Sequence, residues 1–496
     1  MEHNTIDHSE DIAEAIHAAT GKTTPVDADE VSLVDSAASY VLKKLTWASL
    51  KATIKSYLEG LTSINFAGSV SAGSMVLTRW PEAYGVRWDA SADVMVPGIV
   101  ANGVFFPWDY FDMPVHDMCG KRCVRHHSSG EVVYYLDADD STLQADGVTA
   151  ADLTGASGQV MSEFSQFHYI RKNDGNYRYA LVGTGSFSLK LSDGSYLASA
   201  VHPWFYEGGL ATPAEKKYLG AFEGVLWDAS AGAYVDGTGE SLYCSGDKIH
   251  SVYGYKPLTY VNRPEYRAGT SVDGDYHSAG RIAREALILL FVTKYKSWNS
   301  QVKLPGYTGG GTWNFAKVCK TGITAQLGNR DGSVTWADAP AGLRCGYDFS
   351  ATPDIVLACA FMGVENFYGH ILEWDDGINI EFVGSPLTDA NVYLCNDPAA
   401  WADDTAIGYT DAGFDLPLTS DYITDIADGY FVPVKAIGGN ASAFLADYYK
   451  ASDAAGWRAP RSGGYLPDGL NAGIEAMLAD ADVLRRASGV GGRTAA

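Results

Sequence analysis

The stretch ENFYGHILEWDDG, residues 365–377, sets the carboxylates Glu365, Glu373 and Asp375 around Tyr368, His370 and Trp374. Side chains of these types could cleave a glycosidic bond, hold a metal ion or fasten a scaffold. Glycoside hydrolysis needs two carboxyl groups facing each other across a substrate, usually from different elements. If residues 370–376 form a strand, alternation puts Glu373 and Asp375 on one face and Trp374 on the other. The simpler expectation is a scaffold, with Trp374 buried and Glu373 paired with backbone donors or a basic group. No catalytic residue is assigned.

Two further clusters have the right atoms for metals. His116, Cys119, Cys123, His126 and His127 fall within twelve residues, and C-x3-C with nearby histidines overlaps zinc spacing. The plainer reading is a strand with a buried cysteine beside a charged loop. DADDSTLQADG (137–147) resembles a calcium loop in composition, yet an EF-hand needs Gly where Thr142 stands and Glu where Val148 stands. Turns capped by aspartate side chains account for it better. TGGGTW (308–313) lacks the Lys-Ser/Thr that would hold a phosphate, and no G-x-S-x-G elbow, Walker loop or H-E-x-x-H helix occurs. No metal or cofactor is therefore expected. The seven cysteines, an odd number without regular spacing, argue against a disulfide framework.

The elements that must position these residues belong to a chain of 496 residues, long enough for two or three domains with ample core. Hydrophobic content of 46% and charged content of 19% are those of a folded protein, and 54 glycines with 30 tyrosines lean toward β-rich, loop-rich architecture. The net charge of −24 repels phosphates and anionic membranes, which argues against nucleic-acid partners. No signal peptide is expected from the acidic opening MEHNTIDHSEDIAEAIH, and the apolar run Ala286 to Val292 is too short to span a bilayer. Residues 1–65 read as helical. Ser9 can cap a helix with Ile12 and Ile16 on one face; residues 21–38 are turn-rich and strand-poor. Thr46 can cap a second helix whose stripe is Trp47, Leu50, Ile54, Tyr57 and Leu58. That stripe must be buried against something, and a partner chain is as plausible as the chain's own body. Residues 66–165 alternate short β-type runs with turns, and from 166 to 496 strands mix with a few helices. RIAREALILLFVTKY (281–295) is the clearest helix.

Residues 22–58 resemble a segment common near the N-termini of tailed-bacteriophage tail-fibre proteins. YGVRWDAS (84–91), MCGKRCV (118–124), GEVVYYLDADDST (130–142), GQVMSEF (158–164), YLGAFEG (218–224) and REALILLFVTKYKSWNSQ (284–301) resemble a second phage and gut-microbe group. Those proteins end in a C-type-lectin-like fold, shared with formylglycine-generating enzymes and the phage major tropism determinant. ENFYGHILEWDDG resembles the core element of that fold, ADYYKASDAAGWRAPRSGGY (446–465) its W-R--RGGSW stretch, and GVGGR (489–493) its closing strand. Tyr465 stands where a tryptophan is usual.

The resemblance implies an α+β protein with a helical attachment segment (1–65), a β-rich connector (66–165) and a C-type-lectin-like receptor-binding domain (166–496). Its scaffold signature would be Asn366, Glu373, Trp374, Arg461, Gly463 and Gly464. Loop positions Tyr449, Trp457, Tyr465, Leu466, Asp468, Asn471 and Glu475 would contact the receptor, since Tyr and Trp give large, stiff contact areas. Trp47, Leu50, Ile54, Tyr57 and Leu58 would serve oligomerisation and attachment. Enzymatic relatives hold copper with late cysteines or iron with three histidines. Here no cysteine follows Cys395 and only His370 lies beyond position 277, so an enzyme is not expected. The implied protein is a virion component assembled in a host cytoplasm: a homotrimeric tail fibre joined to other virion proteins at its N-terminus. It would bind a host cell-surface protein or glycan, with no nucleic acid and no membrane insertion. The alternatives are a head-fibre or baseplate decoration, and a polysaccharide-degrading tailspike, which would need a β-helix repeat that the sequence lacks.

Overall fold

A computed structural model describes residues 30–35, 41–46 and 82–496, except 238–239, 241, 308–311, 313 and 444. The chain divides into two compact units, residues 1–76 and 77–496.

In the first unit, strand Glu30–Asp35 pairs antiparallel with Val41–Thr46, with Glu30 opposite Thr46 and Asp35 opposite Val41. This corrects the expectation that residues 21–38 are strand-poor. Val31, Leu33 and Val34 face Leu45, Lys43 and Leu42 in the register, and β-prone residues on both arms outweigh the turn-forming residues around them. Thr46 is the last residue of the strand, and the helix expected to follow it lies outside the described residues. Ser9, Ile12, Ile16, Trp47, Leu50, Ile54, Tyr57 and Leu58 lie outside the described residues.

The second unit is β-rich with few helices. A fully antiparallel six-stranded sheet runs in the order 200–201, 168–174, 177–183, 83–89, 94–101, 104–107. A second runs 277–278, 494–495, 216–220, 159–165, 119–125, 132–135. A seven-stranded sheet follows the order 433–436, 421–426, 448–450, 477–478, 461–462, 372–374, 490–491, and a four-stranded sheet the order 410–415, 387–394, 378–384, 456–458.

The long helix Arg281–Tyr295 packs on strands Ala83–Asp89 and Tyr177–Gly183, and every residue from Arg281 to Thr293 is buried. Its sequence is apolar all round from Ala286 to Val292, the pattern of a helix that is interior on every side. Around it lie Trp88, Phe164, Trp204, Trp298, Phe361 and Tyr368 in one continuous core. The helix stops at Lys296, whose φ of 54° is left-handed.

The junction expected at 165/166 falls inside this architecture. Strand Gln159–Ser165 pairs with Cys119–Arg125 on one side and Lys216–Gly220 on the other, and Gln159 to Phe164 are all buried. Connector and C-terminal region therefore share a sheet and a core, and residues 77–496 are one unit.

Candidate functional site

Strand Leu372–Trp374 lies between Arg461–Ser462, antiparallel to it, and Val490–Gly491, parallel to it. The pleat sends alternate side chains to opposite faces. Glu373 and Asp375 share one face, and Leu372 and Trp374 the other.

On the first face, Glu373 Oε2 accepts from Arg284 Nη2 at 2.6 Å, and its Oε1 accepts from Arg493 Nη2 at 2.8 Å and Nε at 3.1 Å. Asp375 Oδ1 accepts from Arg284 Nε at 3.2 Å, while Oδ2 accepts from Arg281 Nη1 at 3.4 Å and from the Ser462 hydroxyl. All five charged side chains are buried. Asp376 continues the network outward, accepting from Arg267 Nε at 2.7 Å and from the Ser278 hydroxyl at 2.6 Å. The void beside Glu373 and Asp375 measures about 10 Å³, room for about one water. The two carboxylates are bridged by the same Arg284 and open onto no groove, so they lack the arrangement that glycoside cleavage requires.

The rest of ENFYGHILEWDDG also fastens structure. Glu365 Oε1 accepts from the Gly322 amide at 2.8 Å, and Oε2 accepts from the Thr324 amide at 2.7 Å and hydroxyl at 2.8 Å. Asn366 sits at φ 52° and its Oδ1 accepts from the Cys359 amide at 3.3 Å. His370 Nε2 accepts from the Cys319 amide at 3.1 Å, and Nδ1 lies 2.7 Å from Glu223 Oε2. Burial alone would lower the proton affinity of His370, but the Glu223 carboxylate more than offsets it and the net shift is upward.

The second face looks onto a cleft of about 150 Å³ lined by Leu372, Lys450, Arg461, Tyr465, Asp480 and Arg485. The indole of Trp374 is buried behind it, with Nε1 donating to the Val261 carbonyl at 2.9 Å and the Arg461 guanidinium 5.8 Å from its ring centroid. Asp480 is the cleft's one lining carboxylate. Lys450 Nζ lies 2.9 Å from it, Arg461 Nη2 is in direct contact, and Arg485 Nη1 stands 3.9 Å away. Burial alone would raise the affinity of Asp480 for a proton; Arg461 and Lys450 overcome this and hold its carboxyl below the usual range. Arg461 Nε is buried without a hydrogen-bond partner. Three cations thus converge on one carboxylate within a strongly acidic chain.

Of the seven positions expected to contact a receptor, only Tyr465 lines this cleft. Tyr449, Leu466 and Glu475 are buried, which removes them from any exposed binding face. Tyr449 lies in a strand paired with Asp421 and with Met477, and its hydroxyl donates inward to the Pro417 carbonyl at 3.0 Å. Leu466 packs with Tyr307 and Phe349 in a small core. Glu475 is fully enclosed, and burial pushes its carboxyl well above the usual range. Trp457, Asp468 and Asn471 are half-buried and serve local structure: Trp457 against Tyr393 with ring centroids 5.6 Å apart, Asp468 accepting from the Tyr465 amide at 3.0 Å, Asn471 accepting from the Tyr422 hydroxyl at 2.6 Å. Gly464 has φ 68°, and a Cβ there would stand 2.6 Å from the Ala472 backbone, so only glycine fits. Its neighbour Gly463 is buried at φ 90°.

The 116–127 cluster does not assemble. His116 is buried against Tyr84, 2.7 Å from its hydroxyl, and Leu290, while Cys119 and Cys123 are interior strand residues and His126 is exposed. In 137–147 the carboxylates cap turns: Asp137 accepts from the amides of Asp139 and Asp140, Asp140 from Thr142, and Asp146 from Val148 and Thr149.

Sequence reasoning missed Lys450, Asp480 and Arg485 as cleft residues, and Arg281, Arg284 and Arg493 as partners of the carboxylates. Two arginines in the first turn of an otherwise apolar helix were a usable signal, because buried guanidinium groups require carboxylate partners. No protein-family model matches the chain, and no curated protein matches it.

Proposed function

We propose that the chain is a bacteriophage tail-fibre or receptor-binding protein, built on a C-type-lectin-like domain and attached to the virion through its N-terminal segment. It acts by non-covalent capture, without catalysis, as a homotrimer whose repeated weak contacts add up to avidity on a cell surface. The lectin-like reading is supported by the adjacency of three stretches. Residues 372–374, 461–462 and 490–491, which carry the C-terminal resemblance, are hydrogen-bonded neighbours in one sheet. The single observation that carries receptor binding is the cleft on that sheet, where Lys450, Arg461 and Arg485 outnumber Asp480 and Tyr465 offers a half-exposed ring. The locked state of Glu373 and Asp375 supports the absence of catalysis from this element. The burial of Tyr449 and Trp401 favours a second reading, a structural head-fibre or baseplate decoration.

The purified full chain is expected to bind cells within a panel of bacteria and to block phage adsorption to them. Replacing Lys450 and Arg485 together by glutamate should abolish both effects without altering the near-ultraviolet circular dichroism. Binding unchanged in that double variant would remove the cleft from the proposal. A flat response of the wild-type chain across the panel would leave the decoration reading in its place.

A further inference from the structure

His127 is the one member of the 116–127 cluster that meets other metal-binding side chains, and it meets them across the fold. It stands beside His250, on strand Lys248–Ser251, and Asp273, in the turn after helix Arg263–Thr270. One ligand atom from each of the three lies within 4.8 Å of the others, and they form the only such group among the described residues. The two imidazole rings are 4.4 Å apart between centroids, tilted by 34°.

The hydrogen bonds already orient each group for ligation. His127 Nε2 lies 2.7 Å from the Gly155 carbonyl, an acceptor only, so the proton sits on Nε2 and the Nδ1 lone pair is free. That Nδ1 is buried and has no hydrogen-bond partner. A buried acceptor left without a donor is a cost that a bound cation would remove. Without an ion His250 Nε2 donates its proton to Asp273 Oδ2 at 2.8 Å. Metal binding displaces that proton from Nε2, and the ring can then carry its proton on Nδ1, 2.8 Å from the Tyr234 hydroxyl oxygen, which accepts it. Lys248 Nζ holds the other carboxylate oxygen, Oδ1, at 2.8 Å. Imidazole and carboxylate ligands fixed through their distal atoms are the arrangement that raises metal affinity.

From this geometry we infer a transition-metal site in which His127 Nδ1, His250 Nε2 and Asp273 Oδ2 bind a divalent ion, with Zn²⁺ the best fit to the two-nitrogen, one-oxygen donor set. Ligand distances of about 2.0–2.1 Å at tetrahedral angles separate donors by roughly 3.3 Å. The 2.8 Å contact between His250 and Asp273 would therefore open by about half an ångström as the ion enters, while the donors that stand further apart, all within 4.8 Å, would close toward the same separation. A fourth position stays available to water or an external ligand. The ion would join three segments more than a hundred residues apart at their extremes, acting as a cross-link in the body and independent of the cleft.

The test uses the full chain and the metal alone. Co²⁺ titration should give a d–d absorption band that saturates at one ion for this site, and Zn²⁺ should displace it and raise the thermal midpoint by several degrees. His127→Ala should remove the band or weaken binding more than about tenfold, Asp273→Asn should weaken it, and His126→Ala, the exposed neighbour, should leave it intact. Near-ultraviolet circular dichroism checks that each variant is folded. If a variant is not, hydrogen exchange on the unaltered chain decides the matter: Zn²⁺ must slow exchange in 126–130, 248–251 and 271–276 together. No band, a band unaffected by His127→Ala in a folded variant, or exchange unchanged in those three segments would overturn the assignment.

Discussion

The two faces of strand Leu372–Trp374 use the same kinds of charged side chain, wholly enclosed on one face and partly exposed on the other. Behind the strand, Glu373 and Asp375 are enclosed with Arg281, Arg284 and Arg493, and each carboxylate has at least two charged or hydroxyl donors. In front of it, the buried Arg461 pairs with Asp480 at the edge of a cleft, and the half-exposed Lys450 and Arg485 are surplus cations. The difference teaches what burial demands. Removing one partner from a dry network strands a charge, whereas a wet site tolerates imbalance because water and salt complete the solvation. Behind the strand Glu285, which accepts from Arg281 Nε at 2.9 Å, brings the carboxylates to three against three arginines, so the surplus charge lies in front, where it can meet a ligand.

The largest effect should come from breaking the buried side. Glu373→Ala leaves Arg284 and Arg493 without their shared carboxylate and should destabilise the body by about 3–5 kcal/mol, measured by urea unfolding. A loss below about 1 kcal/mol would mean that the two faces do not differ in this way.

The next effect concerns carboxylates buried without a contacting cation. Burial pushes the Asp447 carboxyl up to about 7, against the hydrogen bonds it accepts from the Glu475 and Ala476 amides. The folded state then holds a proton that the unfolded chain releases near pH 4. Stability from this group is fully present below that pH and falls as pH rises toward about 7, by up to about 4 kcal/mol. Asp447→Asn should flatten the pH dependence across that window, which denaturation midpoints at pH 4.5 and 7.5, compared with wild type, would read. An unchanged slope would show that Asp447 is ionised in the fold.

The smallest effect should lie in the cleft. Arg485 is about half exposed and 3.9 Å from Asp480, so Arg485→Ala should change stability by less than about 0.5 kcal/mol. A thermal shift matching that of Glu373→Ala would join the cleft to the buried network.

Much of the scaffold was legible in the sequence, and for physical reasons. The alternation in LEWD put Glu373 and Asp375 on one face, and the unbroken apolar run in RIAREALILLFVTKY announced an interior helix. The aspartates of 137–147 cap turns because short carboxylates reach their own backbone two or three residues on. Partnerships were not legible, because they join residues far apart. Glu373 meets Arg493 and Arg284 only through sheet order, and His127 leaves its sequence neighbours for His250 and Asp273. Exposure in the C-terminal loops was not legible either. Tyr448 and Tyr449 are adjacent tyrosines of which one is buried and one half-exposed, and strand pairing alone decides which. In the N-terminal unit, local turn composition misled, since pairing between 30–35 and 41–46 outweighs it.

The placement of Thr494–Ala495 has a consequence for biosynthesis. This short strand lies between Lys216–Gly220 and His277–Ser278, and Arg493 immediately before it donates to Glu373. A ribosome that has emitted the first 480 residues has therefore released a sheet lacking the strand next to one edge and a Glu373 with one guanidinium partner absent. The body cannot mature in the order in which it is translated. Its early strands wait for a segment made more than two hundred residues later, and nascent chains that stall before residue 493 stay exposed to proteases and chaperones.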